Sequence, residues 1–266
     1  MTIPLVFSDI DGTLLDAQHR LRPAVIRAVR DYTAAGGRFC LASARPPQAM
    51  AAIATTLAVT LPLVALNGAL IATHHPDGTT TPLFSQPLAT GVAQAVLDRV
   101  TARGLAISVN VFAGPDWIAA PSPWVAQEAA ITGTAPTAGD VAGFLATGRP
   151  VHKLLCMGEP AAVDALRDAV QGLPLTAARS KPTYLELTHP AVSKAQALRF
   201  LAGHYGLSLA QTMALGDGDN DIPMLEAAGV GVALHNASAG LLAIADHVVP
   251  ANTAAGAAVA IRRFAM

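Results

Sequence analysis

In the first third of the chain the apolar positions come as short unbroken runs separated by helically spaced segments. Pro4-Leu5-Val6-Phe7, the stretch 38–42 and Leu63-Val64-Ala65-Leu66 each read as a buried strand, because strands covered on both faces carry continuous apolar runs. Between the first two, Pro23 falls in the first turn of a helix with the stripe Val25, Ile26, Val29 and Tyr32, and Gly36-Gly37 ends it. A second helix precedes Leu63. Strand, helix, strand, helix, strand predicts a parallel sheet with right-handed crossovers. In such sheets ligands bind at the carboxyl ends of the strands. Each run ends there in a polar turn: Ser8-Asp9-Ile10-Asp11-Gly12-Thr13, Ser43-Ala44-Arg45-Pro46 and Asn67-Gly68-Ala69.

The rhythm changes in the middle of the chain. Leu105, Ile107, Val109 and Val111 alternate with Ala106, Ser108 and Asn110, the period of a half-buried strand in an antiparallel sheet. Asp77-Gly78 reads as a hairpin turn, and a helix with apolar Val92, Val96, Leu97 and Val100 precedes the alternating strand. Further strands fall at 117–119, 153–157, 175–178 and 183–187, with a helix at 160–170. The parallel pattern then resumes, with Thr212-Met213-Ala214-Leu215 running into Gly216-Asp217-Gly218-Asp219-Asn220-Asp221 and a helix from Ile222 closed by Gly229. The expectation is an α/β chain: a Rossmann-like parallel-sheet core at 1–83 and 187–266, with an α+β domain inserted at 84–186.

Composition narrows the function classes. With 266 residues and a formal net charge of −1, the chain has room for a substantial core but neither a basic footprint for nucleic acid nor a polybasic membrane signal. A small-molecule partner is expected, for a soluble monomer or homodimer. No apolar stretch has spanning length. Met1-Thr2-Ile3-Pro4 runs straight into the first strand, leaving no room for a signal peptide, so a cytoplasmic location is expected. Cys40 and Cys156 sit in apolar runs without metal-ligand spacing and read as buried, reduced core thiols. His74, His75, His189, His204, His235 and His247 show no ligand spacing either.

The candidate chemistry sits in four segments. Asp9 and Asp11, where a core strand meets solvent, either form a solvated acidic turn or share a cation and divide the chemical labour. Ser43 offers a hydroxyl and Arg45 a cation at the end of the second strand. Ser193 with Gln196 forms a capping-box pattern, which puts Lys194 in the first helical turn. There it opposes the helix dipole unless an anion is near; the plainer reading is a surface lysine. The fourth segment places Asp217, Asp219 and Asp221 as in a calcium-binding EF-hand loop, but Ile222 and Ala228 occupy the positions that need Gly and Glu. Magnesium suits it better, needing only one or two carboxylates besides phosphate oxygens and water.

Taken together, Asp9-Ile10-Asp11-Gly12-Thr13-Leu14-Leu15, Ser43 before Arg45, Lys194 and the 216–221 segment resemble the four ordered motifs of the haloacid dehalogenase (HAD) superfamily. Asn67-Gly68-Ala69, the segment 231–237 and the large insert resemble its Cof-type phosphatase branch with a type IIB cap. Ser43-Ala44-Arg45 replaces the more usual Thr-Gly-Arg, and Ala195 replaces a common Gly; neither change removes a needed group. The resemblance implies a Mg²⁺-dependent hydrolase of small phosphorylated metabolites such as sugar, nucleotide or cofactor phosphates. Asp9 would be the nucleophile that forms an aspartyl phosphate and Asp11 the general acid and base. Asp9, Asp217 and the Asp11 carbonyl would ligate the metal, with Asp221 ligating or orienting it through water. Ser43, Lys194, Arg45, Asn67 and Asn220 would contact substrate, and the cap would select it. A sugar phosphomutase is the alternative enzyme. A metabolite-binding regulatory module is the non-enzymatic alternative, and it does not need an acid beside a nucleophile.

Overall fold

The computed structural model describes residues 2–137 and 139–266. It divides into two compact units: one runs to Ala44 and continues through Met50–Phe84 and Ser193–Met266, while the other holds Arg45–Ala49 and Ser85–Val192. In chain order the first part contributes β1 (Leu5–Asp9), α1 (Pro23–Ala34), β2 (Arg38–Ala42), α2 (Pro47–Leu57), β3 (Leu61–Ala65), β4 (Leu70–His74) and β5 (Thr80–Ser85). The middle contributes α3 (Val92–Ala102), β6 (Ile107–Ala113), β7 (Asp116–Ala119), α4 (Pro123–Thr132), α5 (Val141–Ala146), β8 (Lys153–Gly158), α6 (Pro160–Ala169), β9 (Thr176–Lys181) and β10 (Tyr184–Thr188). The last part contributes α7 (Lys194–His204), β11 (Thr212–Gly216), α8 (Ile222–Ala227), β12 (Val230–Leu234), α9 (Ala239–Ile244), β13 (His247–Val249) and α10 (Gly256–Ala260).

The first unit is built on an eight-stranded sheet ordered β13-β12-β11-β1-β2-β3-β4-β5. β13 through β3 are parallel, as the alternation of runs and helices predicts. β4 is antiparallel to β3, so the sheet is not parallel throughout. A tight turn reverses the chain there, where Leu66 and Asn67 take φ of 53° and 59°. Register decides where the chemistry gathers: Asp9 lies opposite Ala42 and Ser8 opposite Leu215, so the turns after β1, β2 and β11 emerge side by side. Leu5, Phe7, Cys40, Ala42 and Ala214 from the strands pack with Ala197, Leu198 and Leu201 of α7 in one buried cluster. On α1 the buried positions are Val25, Ala28, Val29 and Tyr32; Ile26, expected in the stripe, lies at its edge. The Tyr32 hydroxyl donates to the carbonyl of Ile3 at 2.7 Å, so the ring is buried without stranding its polar atom.

The second unit carries an antiparallel sheet ordered β7-β6-β8-β10-β9. One face, with Val109, Val111, Leu154, Cys156, Leu185 and Leu187, packs on Val96 of α3 and on Val163 and Leu166 of α6. The alternation in β6 reads as a half-buried strand, yet the opposite face is buried too: Asn110 is fully buried and accepts the Trp117 indole N–H at 3.0 Å. On the same face Lys153, buried, pairs with Glu186 at 3.1 Å. Hydrogen bonding and pairing offset the cost of burying these polar groups, so period-two polarity does not mean solvent here. α5 adds Val141, Phe144 and Leu145, spaced i, i+3 and i+4, to the core shared with α3 and α6, and α4 buries Val125. Both helices start on local caps, the Ser122 hydroxyl accepting from the Val125 N–H and the Asp140 carboxylate from the Gly143 N–H.

Candidate active site

Asp9 is the last residue of β1 and is buried. The chain then turns sharply at Gly12, whose φ of +80° is a left-handed conformation. A Cβ there would lie 2.1 Å from Asp217 Oδ2, so glycine is what lets the loop after β1 meet the loop after β11. Thr13 completes that contact, its hydroxyl donating to Asp217 Oδ1 at 2.7 Å. The loop is braced from behind. Asn236 donates to the Gly12 carbonyl at 2.9 Å and accepts from the Asn252 N–H at 2.9 Å, while Asn252 donates to the Leu15 carbonyl at 2.7 Å. The Ser238 N–H holds the Asp217 carbonyl at 2.8 Å.

Lys194 is not on the surface. Ser193 caps α7, its hydroxyl accepting the Gln196 N–H at 3.1 Å, and Lys194 follows as the first helical residue with its side chain 2% exposed. Its ammonium donates to Asp9 Oδ1 and, at 2.6 Å, to Asp221 Oδ1. Two carboxylates therefore supply the anions that a cation at a helix N-terminus requires. Asp221 is held from the other side too, its Oδ2 accepting the N–H groups of Asp217 at 3.1 Å and Gly218 at 3.0 Å. Burial pushes the Asp9 carboxyl well above its usual range; Lys194 draws it down, and Asp221 and Asp217 push it up again. Asp217 is raised to about 6, mainly by burial and then by Asp221, against the Thr13 hydrogen bond. Burial alone would depress Lys194, but the carboxylates of Asp9 and Asp221 raise it. The site thus sets three buried or half-buried carboxylates against one ammonium.

That imbalance fits a hard cation. Asp9, Asp217 and Asp221 each offer a carboxylate oxygen, and these oxygens all lie within 4.8 Å of one another. An all-oxygen set with neither thiolate nor imidazole suits magnesium or calcium rather than zinc.

Of the other residues singled out in the sequence, Ser43 is buried directly after β2, its N–H on the Val64 carbonyl and its carbonyl on the Asn67 N–H, each at 2.9 Å. These bonds tie the Ser43 and Asn67 turns together. Gly68 approaches so closely that a Cβ would lie 2.8 Å from the Ser193 carbonyl, which seats the Asn67 turn on the start of α7. Asn220 is exposed in the short 3-10 turn Asp219–Asp221. Arg45 falls in the short segment, 45–49, that groups with the second unit. Sequence reasoning misses Thr13, Asn236, Asn252 and His19. The last places Nδ1 3.2 Å from Asp11 Oδ1. Thr13 and Asn236 lie within the segments 9–15 and 231–237 quoted above, though nothing in the spacing marks their contacts, and Asn252 and His19 lie in no such segment.

Residues 6–261 match the sequence profile of the haloacid dehalogenase-like hydrolases. A protein of Haemophilus influenzae is 30% identical over 264 residues, 97% of each chain. The HMP-PP phosphatase of Cronobacter sakazakii is 30% identical over 247 residues, 90% of this chain and 87% of that one. Among solved structures, a haloacid dehalogenase-like hydrolase from Bacteroides thetaiotaomicron superposes with a TM-score of 0.85 at 26% identity, covering 97% of this chain and 98% of the other. No helix among the described residues is long and apolar enough to cross a membrane.

Proposed function

Since the chain belongs to the haloacid dehalogenase-like hydrolases, the family matched over residues 6–261, we propose that it is a magnesium-dependent phosphatase of small phosphorylated metabolites working through an aspartyl phosphate on Asp9. The observation that carries this reading is the Lys194 bridge: a buried ammonium pairs with Asp9 and Asp221 at the strand ends, beside a second carboxyl on Asp11. A binding module needs the charge but not the pair of carboxyls two residues apart.

A phosphate monoester resists attack because its anionic oxygens repel nucleophiles, so the site must neutralise charge and align the attack. Asp9 attacks phosphorus; the bond to the leaving oxygen breaks, and Asp11 gives that oxygen its proton. Asp11, now a carboxylate, takes a proton from water, whose oxygen attacks the phosphoryl group and releases Asp9 and phosphate. Lys194 and the Ser43 hydroxyl hold phosphoryl oxygens, and the Lys194 ammonium favours the ionised Asp9 carboxylate against the burial that raises it. Asp9, Asp217 and Asp221, with the Asp11 carbonyl, would hold Mg²⁺, which when bound supplies charge neutralisation for the phosphoryl oxygens. Choice of substrate is assigned to the second unit, and a sugar, nucleotide or cofactor phosphate is the expected class. The two cysteines, both buried and unpaired, accord with a reducing cytoplasmic setting.

Two variants test the chemistry. Asp9→Asn keeps the shape but loses the nucleophilic charge, so turnover should fall by several orders of magnitude. Asp11→Asn keeps the nucleophile, so a substrate with a good leaving group should still phosphorylate it while hydrolysis lags. Acid quenching and peptide mass spectrometry should then place the phosphoryl group on Asp9. A label elsewhere, or substantial turnover by Asp9→Asn, would refute the mechanism.

A further inference from the structure

One buried hydroxyl joins the turn after β1 to the carboxylates after β11. The turn is closed by its own backbone: the Ile10 carbonyl accepts the N–H groups of Leu14 at 2.9 Å and Leu15 at 3.0 Å. Thr13 sits inside it at 1% exposure, and its hydroxyl donates to Asp217 Oδ1 at 2.7 Å. Branching at Cβ leaves a threonine side chain few rotamers, so the turn that carries Thr13 also sets where its hydroxyl lies. At the other end of the contact the main chain of Asp217 is already held. Its N–H donates to Asp221 Oδ2 at 3.1 Å, and its carbonyl accepts the Ser238 N–H at 2.8 Å. Those bonds leave the side chain undetermined. Asp9 and Asp221 are buried, whereas Asp217 is half-buried and has solvent to turn into. Repulsion drives it that way, since oxygens of the three carboxylates lie within 4.8 Å of one another and like charges at that distance oppose each other. Lys194 donates to Asp9 and Asp221; among the described residues, Thr13 is the one side chain that donates to the Asp217 carboxylate.

We propose that Thr13 is a positioning residue for Asp217: its hydroxyl keeps the carboxylate among its two neighbours before a cation arrives, so that the cation meets a finished set of oxygens. The inference rests on the reading of Asp217 as a metal ligand. Without the hydroxyl, binding would first have to draw the carboxylate back from solvent and fix its torsions, and that reorganisation subtracts from the affinity. In this role Thr13 exchanges no proton and makes no bond to substrate. It acts only through Asp217.

The test measures Mg²⁺ binding to the metal-free protein by isothermal titration calorimetry, for the parent, Thr13→Val, Thr13→Ser and Asp217→Asn. Valine keeps the branching of threonine and loses the hydroxyl, whereas serine keeps the hydroxyl and loses the methyl. Thr13→Val should bind Mg²⁺ roughly 10- to 100-fold more weakly, the usual effect of removing a partner that orients a ligand. Thr13→Ser should recover most of that affinity. Turnover of 4-nitrophenyl phosphate by Thr13→Val, low at limiting Mg²⁺, should climb as Mg²⁺ is raised, because the cation itself then recruits the carboxylate. Parent affinity in Thr13→Val, an affinity as weak in Thr13→Ser as in Thr13→Val, or a turnover deficit that excess Mg²⁺ leaves in place would overturn the inference. If a circular-dichroism melt in chelator shows Thr13→Val unfolded, Thr13→Ala removes the same hydroxyl and is judged by the same outcomes. Asp217→Asn separates the two readings. If it loses Mg²⁺ affinity and Thr13→Val does not, only the role of Thr13 fails; if it binds Mg²⁺ as the parent does, the reading of Asp217 as a ligand fails and takes this inference with it.

Discussion

Replacing Lys194 with Met removes the buried ammonium that pairs with Asp9 and Asp221 while keeping a side chain of similar length. Both carboxylates would then be buried without a counter-charge: Asp221 is 1% exposed and Asp9 is 7% exposed. Breaking a buried ion pair from one side costs about 3–5 kcal/mol, because the remaining charge keeps its desolvation penalty and loses its partner. At about 2 °C per kcal/mol for a chain of this size, the melting temperature of metal-free protein at pH 8 should fall by about 6–10 °C. The deficit should shrink as pH falls. In the variant the Asp9 carboxyl, which burial already raises, is raised further without Lys194, so the folded state favours its protonated form. A carboxyl whose folded pKa is raised contributes stability at low pH that is lost as pH rises. Added Mg²⁺ should recover part of the loss at pH 8, by replacing the missing positive charge. Circular-dichroism melts at pH 5 and pH 8, in chelator and in Mg²⁺, give all four numbers. Turnover should drop by at least about 10²- to 10³-fold, the usual effect of removing one preorganised charge from a phosphoryl or acyl site. A Lys194→Met protein as stable as the parent at pH 8 in chelator would refute the claim that this ammonium holds the carboxylates together.

Gly12→Ala should cost about 1–2 kcal/mol for its left-handed backbone and, in addition, displace Asp217, whose Oδ2 would lie 2.1 Å from the new methyl. Gly36→Ala, at φ +93° with nothing within 4 Å, should lose stability but keep activity, and equal kcat losses in the two variants would sink the argument. For the parent protein without metal, Asp217 has a folded pKa of about 6 against an ordinary 3.8, so its contribution is present below pH 4 and lost as pH rises through 6. Urea midpoints in chelator should therefore decline over that window, with Mg²⁺ flattening the decline; identical profiles would remove these carboxylates from the metal site.

The sequence by itself determined the elements whose physics is local. Continuous apolar runs made buried strands, the Ser193 cap placed the start of α7, and the acidic turns at Asp9 and Asp217 marked strand ends where chemistry gathers. It also named the carboxylates and the lysine. What it left open was their distance, since Lys194 lies far along the chain from Asp9 and only the parallel register of β11, β1 and β2 and the docking of α7 bring them into contact. Tertiary structure likewise decided the fate of Asn110 and Lys153, whose polarity reads as solvent exposure but whose partners Trp117 and Glu186 are set by strand pairing. The same holds for Thr13, Asn236, Asn252 and His19. A hydrogen bond from a remote loop leaves no periodicity behind it, because its energy depends on position in space and not on spacing along the chain.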